Sequence, residues 1–312
     1  MSLKTLVKMS LGATASRLPG IQAELERSLT IFLYHDVSDV PALFSRECGL
    51  VVSVQNFERQ LQFIAEEFRV ISVDELLAGQ VPPRAALITF DDGMVGVFHH
   101  ALPALRRADL PSTVFLNMAP VLGEPFWPAR AVYLCRHVEG FLPWLTETVG
   151  RGPLDSPHLA CTPALVEAWE QRHGDDYLDA LPNYLGDFAT PEDLKDADRD
   201  ALVTFGNHLY RHYNMLNLSD AEMEAEVQDN AEALRPYRNS RPVFACPFGL
   251  STSAQVERMG VFGYERLFTA LPLVNRDPST AVLHRIPLTS WHDRPSRLWF
   301  QIARATIKRR TT

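Results

Sequence analysis

Two short stretches carry side chains whose types and spacing could do chemistry together. Asp91 and Asp92 are adjacent carboxylates, followed by Gly93, directly after the apolar run Ala85-Ala86-Leu87-Ile88-Thr89-Phe90. Neighbouring carboxylates repel unless a cation or a shared proton settles the charge. His208 and His212 are four residues apart, which puts both imidazoles on one face of a helical turn and suits two ligands of one divalent metal. Each pattern also has an ordinary reading. Asp-Asp-Gly is commonly a solvated turn, and a spacing of four arises by chance among 10 histidines. Combined, one carboxylate and two imidazoles form a ligand set with positions left for water and substrate. Only one aspartate is needed as a ligand, so the other is free to act as a base, which is hydrolytic chemistry.

The elements that must position these residues follow a strand–helix–strand rhythm. Leu29-Thr30-Ile31-Phe32-Leu33-Tyr34 reads as a strand running into His35-Asp36. Phe57, Leu61, Ile64, Ala65 and Phe68 then repeat at helical spacing. A short strand Val70-Ile71-Ser72-Val73 precedes a helix that Asp74 can cap. After the run 85–90 come a helix near 97–107 and the strand Ser112-Thr113-Val114-Phe115-Leu116. Residues 127–199 are mostly helical, and then Leu202-Val203-Thr204-Phe205 leads to His208. A helix at 219–235 opens on Ser219 with Glu222 placed for a capping box. Val243-Phe244-Ala245-Cys246 leads to Pro247-Phe248-Gly249, and later strands are expected at 267–270 and 283–286. This order predicts βαβ units around a parallel sheet or barrel. The polar residues fall just past strand C-terminal ends, the rim on which barrel active sites are assembled.

The segments Ile88-Thr89-Phe90-Asp91-Asp92-Gly93, His208-Leu209-Tyr210-Arg211-His212 and Phe244-Ala245-Cys246-Pro247-Phe248-Gly249 resemble successive motifs of the polysaccharide deacetylases, the NodB-homology or carbohydrate esterase family 4 domain. The resemblance runs from about Ile31 to Leu288. It implies an α/β fold, a distorted (β/α) barrel with a helical insertion, and a divalent metal, zinc first with cobalt or nickel as alternatives. Matched residue by residue, Asp92, His208 and His212 would hold the metal and Asp91 would be the base. Most members carry a Leu-x-His motif near the C-terminus of the domain. Here Leu33-Tyr34-His35 has that form at the N-terminus, as in the circularly permuted branch that includes poly-N-acetylglucosamine deacetylases, so His35 is the implied acid. Phe248, with Pro247 and Tyr34, would serve the oxyanion or the substrate. Two departures stand out. Ala245 and Phe248 occupy positions where many members have Arg and Tyr, and the missing Arg normally orients the base; Arg285 is a candidate substitute. A fourth motif with Asp and Trp is not clear, Trp291 and Asp293 being the nearest candidates.

Composition bounds the remaining choices. The chain has 312 residues and a net charge of -8, with 46% hydrophobic and 22% charged residues, an ordinary globular composition. An acidic surface repels phosphate backbones, so no nucleic-acid partner is expected. Cys48, Cys135, Cys161 and Cys246 are scattered without a CxxC pair, which suggests reduced thiols rather than a disulfide framework or a cysteine zinc site. No apolar run is long enough for a transmembrane segment. Lys4 and Lys8 precede a barely apolar run closed by Arg17, a poor export signal. A cytoplasmic location is expected, with the membrane periphery second and secretion third. The expected organisation is a helical lead-in at 1–28, a barrel at 29–295 with its insertion at about 127–199, and a C-terminal helix and tail at 296–312 ending in Lys308-Arg309-Arg310.

The expected reaction is removal of N-acetyl groups from a glycan or a lipid-linked oligosaccharide. The alternatives are a metal-dependent esterase or amidase and a catalytically inactive carbohydrate-binding barrel. Oligomeric state stays open, a homodimer included. His99-His100 are expected on the surface, and His284 as a structural residue competing with His35. Phe126, Trp127, Trp144 and Trp169 are expected to pack in the core unless they line a sugar groove.

Overall fold

In the computed structural model, which describes Thr14, residues 18–150 and residues 156–308, the apolar runs become strands of one parallel sheet. In chain order the strands are β1 Thr30–Tyr34, β2 Asp36–Val37, β3 Val51–Val52, β4 Arg69–Val70, β5 Ala85–Phe90 and β6 Ser112–Leu116. They continue as β7 Val203–Asn207, β8 Ser240–Ala245, β9 Arg266–Thr269, β10 Val282–His284 and β11 Ile286–Pro287. Eight of them pair in the order β10-β9-β8-β7-β6-β5-β1-β11, all parallel, with β4 alongside β5 and a separate β2–β3 pair. The two ends of that path, β10 and β11, are separated in the chain only by Arg285. One short segment therefore pairs with β9 on one side and with β1 on the other, and draws the sheet into a nearly closed barrel.

Strand side chains alternate between two buried faces, which is why the runs read as continuously apolar. Ile31, Leu87, Phe115, Val243, Phe268 and Leu283 fill the inside. The Phe115 and Phe268 rings lie 5.0 Å apart although β6 and β9 are not neighbours in the sheet, so they meet across the lumen. Gly206 makes room for this packing: a Cβ there would sit 2.5 Å from the Phe115 ring. On the outer face Phe32, Tyr34, Ile88 and Phe90 pack against Phe57, Leu61 and Ile64 of the helix Val54–Glu67. Leu298, Trp299 and Ile302 of the C-terminal helix Pro295–Ile307 join the same layer.

Between β6 and β7 the described residues are mostly helical. The helices Trp127–His137, Phe141–Val149 and Pro163–His173 share their own core of Trp127, Leu134, Phe141, Leu145, Val166 and Trp169. Phe126, Val132 and Tyr184 join this insertion to Phe44 and Met94 of the barrel loops. Some local expectations change. The strand expected at 70–73 is only Arg69–Val70. The next helix is capped by Ser72 in a capping box with Glu75, so Asp74 is not the cap and instead pairs with Arg241. Ser219 and Glu222 form the expected capping box. Leu3, Leu6, Val7, Leu11, Arg309 and Arg310 lie outside the described residues.

Candidate active site

Period-two alternation along β5 carries Leu87 and Thr89 inward, and Asp91 continues that face at the rim. The Asp91 N–H donates to the Tyr34 carbonyl (3.0 Å), extending the β1–β5 ladder to the Asp91-Asp92 turn. Asp92 then takes a left-handed conformation (φ 74°) and Gly93 another (φ 84°). That reversal turns both carboxyl groups toward one cavity. A Cβ at Gly93 would lie 2.8 Å from Leu116, so glycine is required there on two counts.

Arg285, fully buried, clamps Asp91 with two parallel bonds, Nη1 to Oδ1 at 2.6 Å and Nη2 to Oδ2 at 2.7 Å. Its Nε donates to the Thr269 carbonyl (3.1 Å), and its guanidinium lies over the Phe115 ring. Leu283 points inward on β10, so Arg285, two residues on, points inward as well. The break between β10 and β11 thus places a cation where β8 lacks one. Burial works to raise the Asp91 pKa, but Arg285 and then His208 outweigh it and hold the carboxyl below its ordinary range.

Asp92, His208 and His212 converge beside it, all buried, with ligand atoms within 4.8 Å of one another. Asp92 Oδ1 is 3.3 Å from His212 Nε2 and 3.6 Å from His208 Nε2. His208 Nδ1 lies 2.7 Å from the Ala245 carbonyl, which can only accept, so Nδ1 carries the proton and Nε2 offers a lone pair. Asp92 Oδ1 is buried without a hydrogen-bond partner among the described residues. An unpartnered carboxylate oxygen facing imidazole nitrogens is unfavourable unless a proton or a cation lies between them. Ligand atoms about 2.0–2.1 Å from a tetrahedral zinc are about 3.3 Å apart, close to the spacing found here. The three side chains therefore fit a divalent cation. Burial alone would raise the Asp92 pKa, yet the two imidazoles push it far below its usual value. Burial lowers His212, helped by His208, whereas for His208 the two carboxylates override burial and raise it.

The spacing of four is not a helical turn. His208 directly follows β7, and the chain reaches His212 through a loop in which Leu209 (φ 63°) and His212 (φ 61°) are left-handed. Buried amides hold that loop where helix hydrogen bonds were expected. Asn117 Nδ2 donates to the carbonyls of His208 and Leu209, and Asn207 Oδ1 accepts from the Leu209 N–H. Asn230 bridges Asn207 and the Leu116 carbonyl. Glu226 accepts from the Arg211 N–H (2.7 Å). The sequence reading missed these four residues. Asn117 and Asn207, polar groups at strand C-terminal ends, were the available signal.

His35 lies immediately after β1 and lines the same cavity, of about 210 Å³, as Asp91, Asp92, His208, His212, Phe126 and Phe248. Phe248 adopts φ 57° and places its ring 4.7 Å from that of His212. Pro247 is buried at the start of that turn and is not among the cavity-lining residues. Tyr34 requires a correction. It alternates with Leu33 and His35, so its side chain faces outward and packs between Phe57 and Phe90 at ring distances of 5.2 and 5.5 Å. Its contribution to the site is its carbonyl. His284, outward on β10, lies 2.8 Å from Thr269 Oγ1 and does not line the cavity. Asp293 pairs with Arg294 and Arg297, and Trp291 packs against Arg297 and Phe300, away from the site. Trp144 and Trp169 are internal to the insertion, whereas Phe126 does reach the cavity. His99 and His100 are exposed, as expected.

Residues 145–267 match the family model described as polysaccharide deacetylase. The match is to polysaccharide deacetylases. This deacetylase-like stretch contains His208, His212 and Phe248, and leaves Asp91 and Asp92 outside it. Several solved structures share the fold of nearly the whole chain. IcaB from Ammonifex degensii superposes with a TM-score of 0.60 at 19% identity, covering 88% of this chain and 97% of that one. The Streptococcus pyogenes deacetylase PplD, in complex with acetate, gives 0.54 at 16% identity over 88% of this chain and 98% of its own. The de-N-acetylase from Aggregatibacter actinomycetemcomitans gives 0.58 at 11% identity over 87% and 99%. No curated protein sequence matches the chain. The architecture is a distorted (β/α) barrel of the NodB-homology type.

Proposed function

We propose that the protein is a metal-dependent hydrolase that removes N-acetyl groups from a polysaccharide or a glycan precursor. The observation that carries this reading is the convergence, in one cavity, of an Arg-clamped carboxylate, a separate Asp/His/His cluster and a third histidine. Asp92, His208 and His212 would hold the cation. When bound, a divalent metal, with zinc the first expectation and cobalt or nickel the alternatives, would polarise an acetyl carbonyl and acidify water. Asp91, kept ionised and fixed in plane by Arg285, takes the proton from the attacking water. The backbone N–H of Phe248 would stabilise the developing oxyanion, and His35 would donate a proton to the departing amine nitrogen.

The cavity also bears on substrate size. At about 210 Å³ it is smaller than the roughly 300–1,000 Å³ of sites that enclose whole small ligands. An acetamido group and part of one sugar ring enter, and the remaining glycan lies across the rim. The amine product is cationic and favourable beside a chain of net charge -8.

Acetate release should be measured across N-acetylglucosamine oligomers, other acetylated glycans and simple acetyl esters, after metal removal and again after add-back. Metal-dependent release from the N-acetylated glycans is expected. Release from esters alone would replace this reading by an esterase, and a protein that takes up no divalent metal would sink both.

A further inference from the structure

Cys135 and Cys161 are 26 positions apart, yet their sulfurs lie 3.8 Å from one another. Cys135 is on the helix Trp127–His137, and Cys161 follows the short turn Pro157–Ala160. Both are buried in the core of the insertion with Leu134, Phe141, Val166 and Trp169. We propose that this pair is a disulfide-forming site which, when oxidised, ties the helix Trp127–His137 to the segment that braces the His212 loop.

The contact already places the two sulfurs side by side, so small side-chain rotations can bring them to the roughly 2.05 Å of a disulfide. Cys48 and Cys246 pack in two other clusters and have no such contact with this pair. Within the pair, the hydrogen bond from Cys161 lowers the Cys135 thiol while the Cys161 thiol is raised, so Cys135 is the better first nucleophile. Cys161 lines an open cavity of about 520 Å³ with Thr162, Tyr213 and Asn214, and Cys135, 3.8 Å from it, keeps 8% of its surface exposed, so the pair is reached from solvent. The link to the rim is short. Two residues before Cys161, the Leu159 carbonyl accepts from Asn214 Nδ2 (2.9 Å) and Asn217 Nδ2 (2.8 Å), just past His212. His158 lies between them and the site, its ring 6.0 Å from that of Phe248.

The oxidant is a small-molecule disulfide such as glutathione disulfide. The Cys135 thiolate attacks one of its sulfurs, breaking that S–S bond, and the released thiolate takes up the proton that Cys135 gave up. The Cys161 thiolate then attacks the Cys135 sulfur of the mixed disulfide and expels the second glutathione thiolate, which takes up the proton from Cys161. Two protein thiols are oxidised and one glutathione disulfide is reduced to two thiols.

The full chain should be equilibrated in glutathione redox buffers and examined by thiol counting, intact mass and peptide mapping. Two of the four thiols are expected to disappear with loss of two hydrogens and a Cys135–Cys161 crosslinked peptide. Closing this loop should raise the melting temperature by at least about 5 °C. Amide exchange at 156–161 and 212–217 should slow with it. The shifts should be absent in Cys135→Ser and Cys161→Ser and preserved in the Cys48→Ser/Cys246→Ser double variant, which reports on folding independently. Retention of four thiols, glutathione left attached in place of an internal bond, or pairing with Cys48 or Cys246 would overturn the site. Unchanged exchange at 212–217 would overturn the tether to the His212 loop.

Discussion

Asp91 and Asp92 are chain neighbours with different partners, and the partners set their roles. Asp91 is neutralised by Arg285, Asp92 by whatever lies between it and the two imidazoles. Asp92→Ala should abolish metal retention, measured by metal analysis of the purified protein. Asp91→Asn should keep the metal and lose turnover by a factor of about 10² or more, as expected for removal of a general base. Equal metal loss in both would refute that division. His35→Ala should slow acetate release with metal content unchanged; an unaffected rate would remove His35 from the proton transfer. Arg285→Met leaves the Asp91 charge buried without its clamp, which costs about 3–5 kcal/mol in denaturant unfolding. Adding Asp91→Asn to that variant should recover most of the stability and none of the activity. Recovery of neither would mean that Arg285 acts mainly through Thr269 and Phe115.

At the scale of elements, strand alternation decides what reaches the cavity. It sends Leu33 and His35 inward and Tyr34 outward, and it carries Leu283 and Arg285 to the inner face of the last strand. The rule was available in the sequence, and applied to Leu33-Tyr34-His35 it would have excluded the Tyr34 side chain from the site. The loop between His208 and His212 was not legible in the same way. Its shape depends on Asn117, Asn207, Asn230 and Glu226, which come from three places in the chain: the end of β6, the end of β7 and the helix Asp220–Leu234. Gly206 tests how tightly β7 is seated. Gly206→Ala would drive a methyl group into the Phe115 ring, and such overpacking costs about 1–3 kcal/mol. Unfolding in denaturant reads that loss, and Gly206→Ala combined with Phe115→Leu should recover part of it. Equal stability of wild type and Gly206→Ala would show that the lumen has slack.

Across the whole molecule, buried histidines couple stability to pH. His292 is buried against Thr289, whose N–H donates to its Nδ1 (3.0 Å), and burial lowers its pKa to about 4. The unfolded chain takes up that proton near the ordinary value of about 6.5. Stability from this group is therefore fully present above pH 6.5 and is lost as pH falls from 6.5 toward 4, by at most about 3 kcal/mol. His158, also lowered to about 4 by burial, acts in the same window. His292→Gln should flatten the fall in melting temperature between pH 6.5 and 4. An unchanged slope would assign the acid sensitivity elsewhere.

Residue types, their order and their spacing by themselves determined the parallel strand–helix rhythm, the rim location of the polar residues and the grouping of Asp91 and Asp92 with His208 and His212 as a candidate set, whereas His35 entered only through the resemblance of Leu33-Tyr34-His35 to a family motif. These are local properties: each depends on a strand end or on a few neighbouring residues, and patterning reports such properties directly. Only the tertiary structure decided that Arg285, 194 positions from Asp91, is its clamp. It alone decided that the His208–His212 link is a loop held by distant amides, and that Cys135 touches Cys161. Those facts depend on how β10 and β11 close the barrel and on how the insertion packs. Contacts between residues far apart in sequence are set by the folded core, and spacing along the chain carries no record of them.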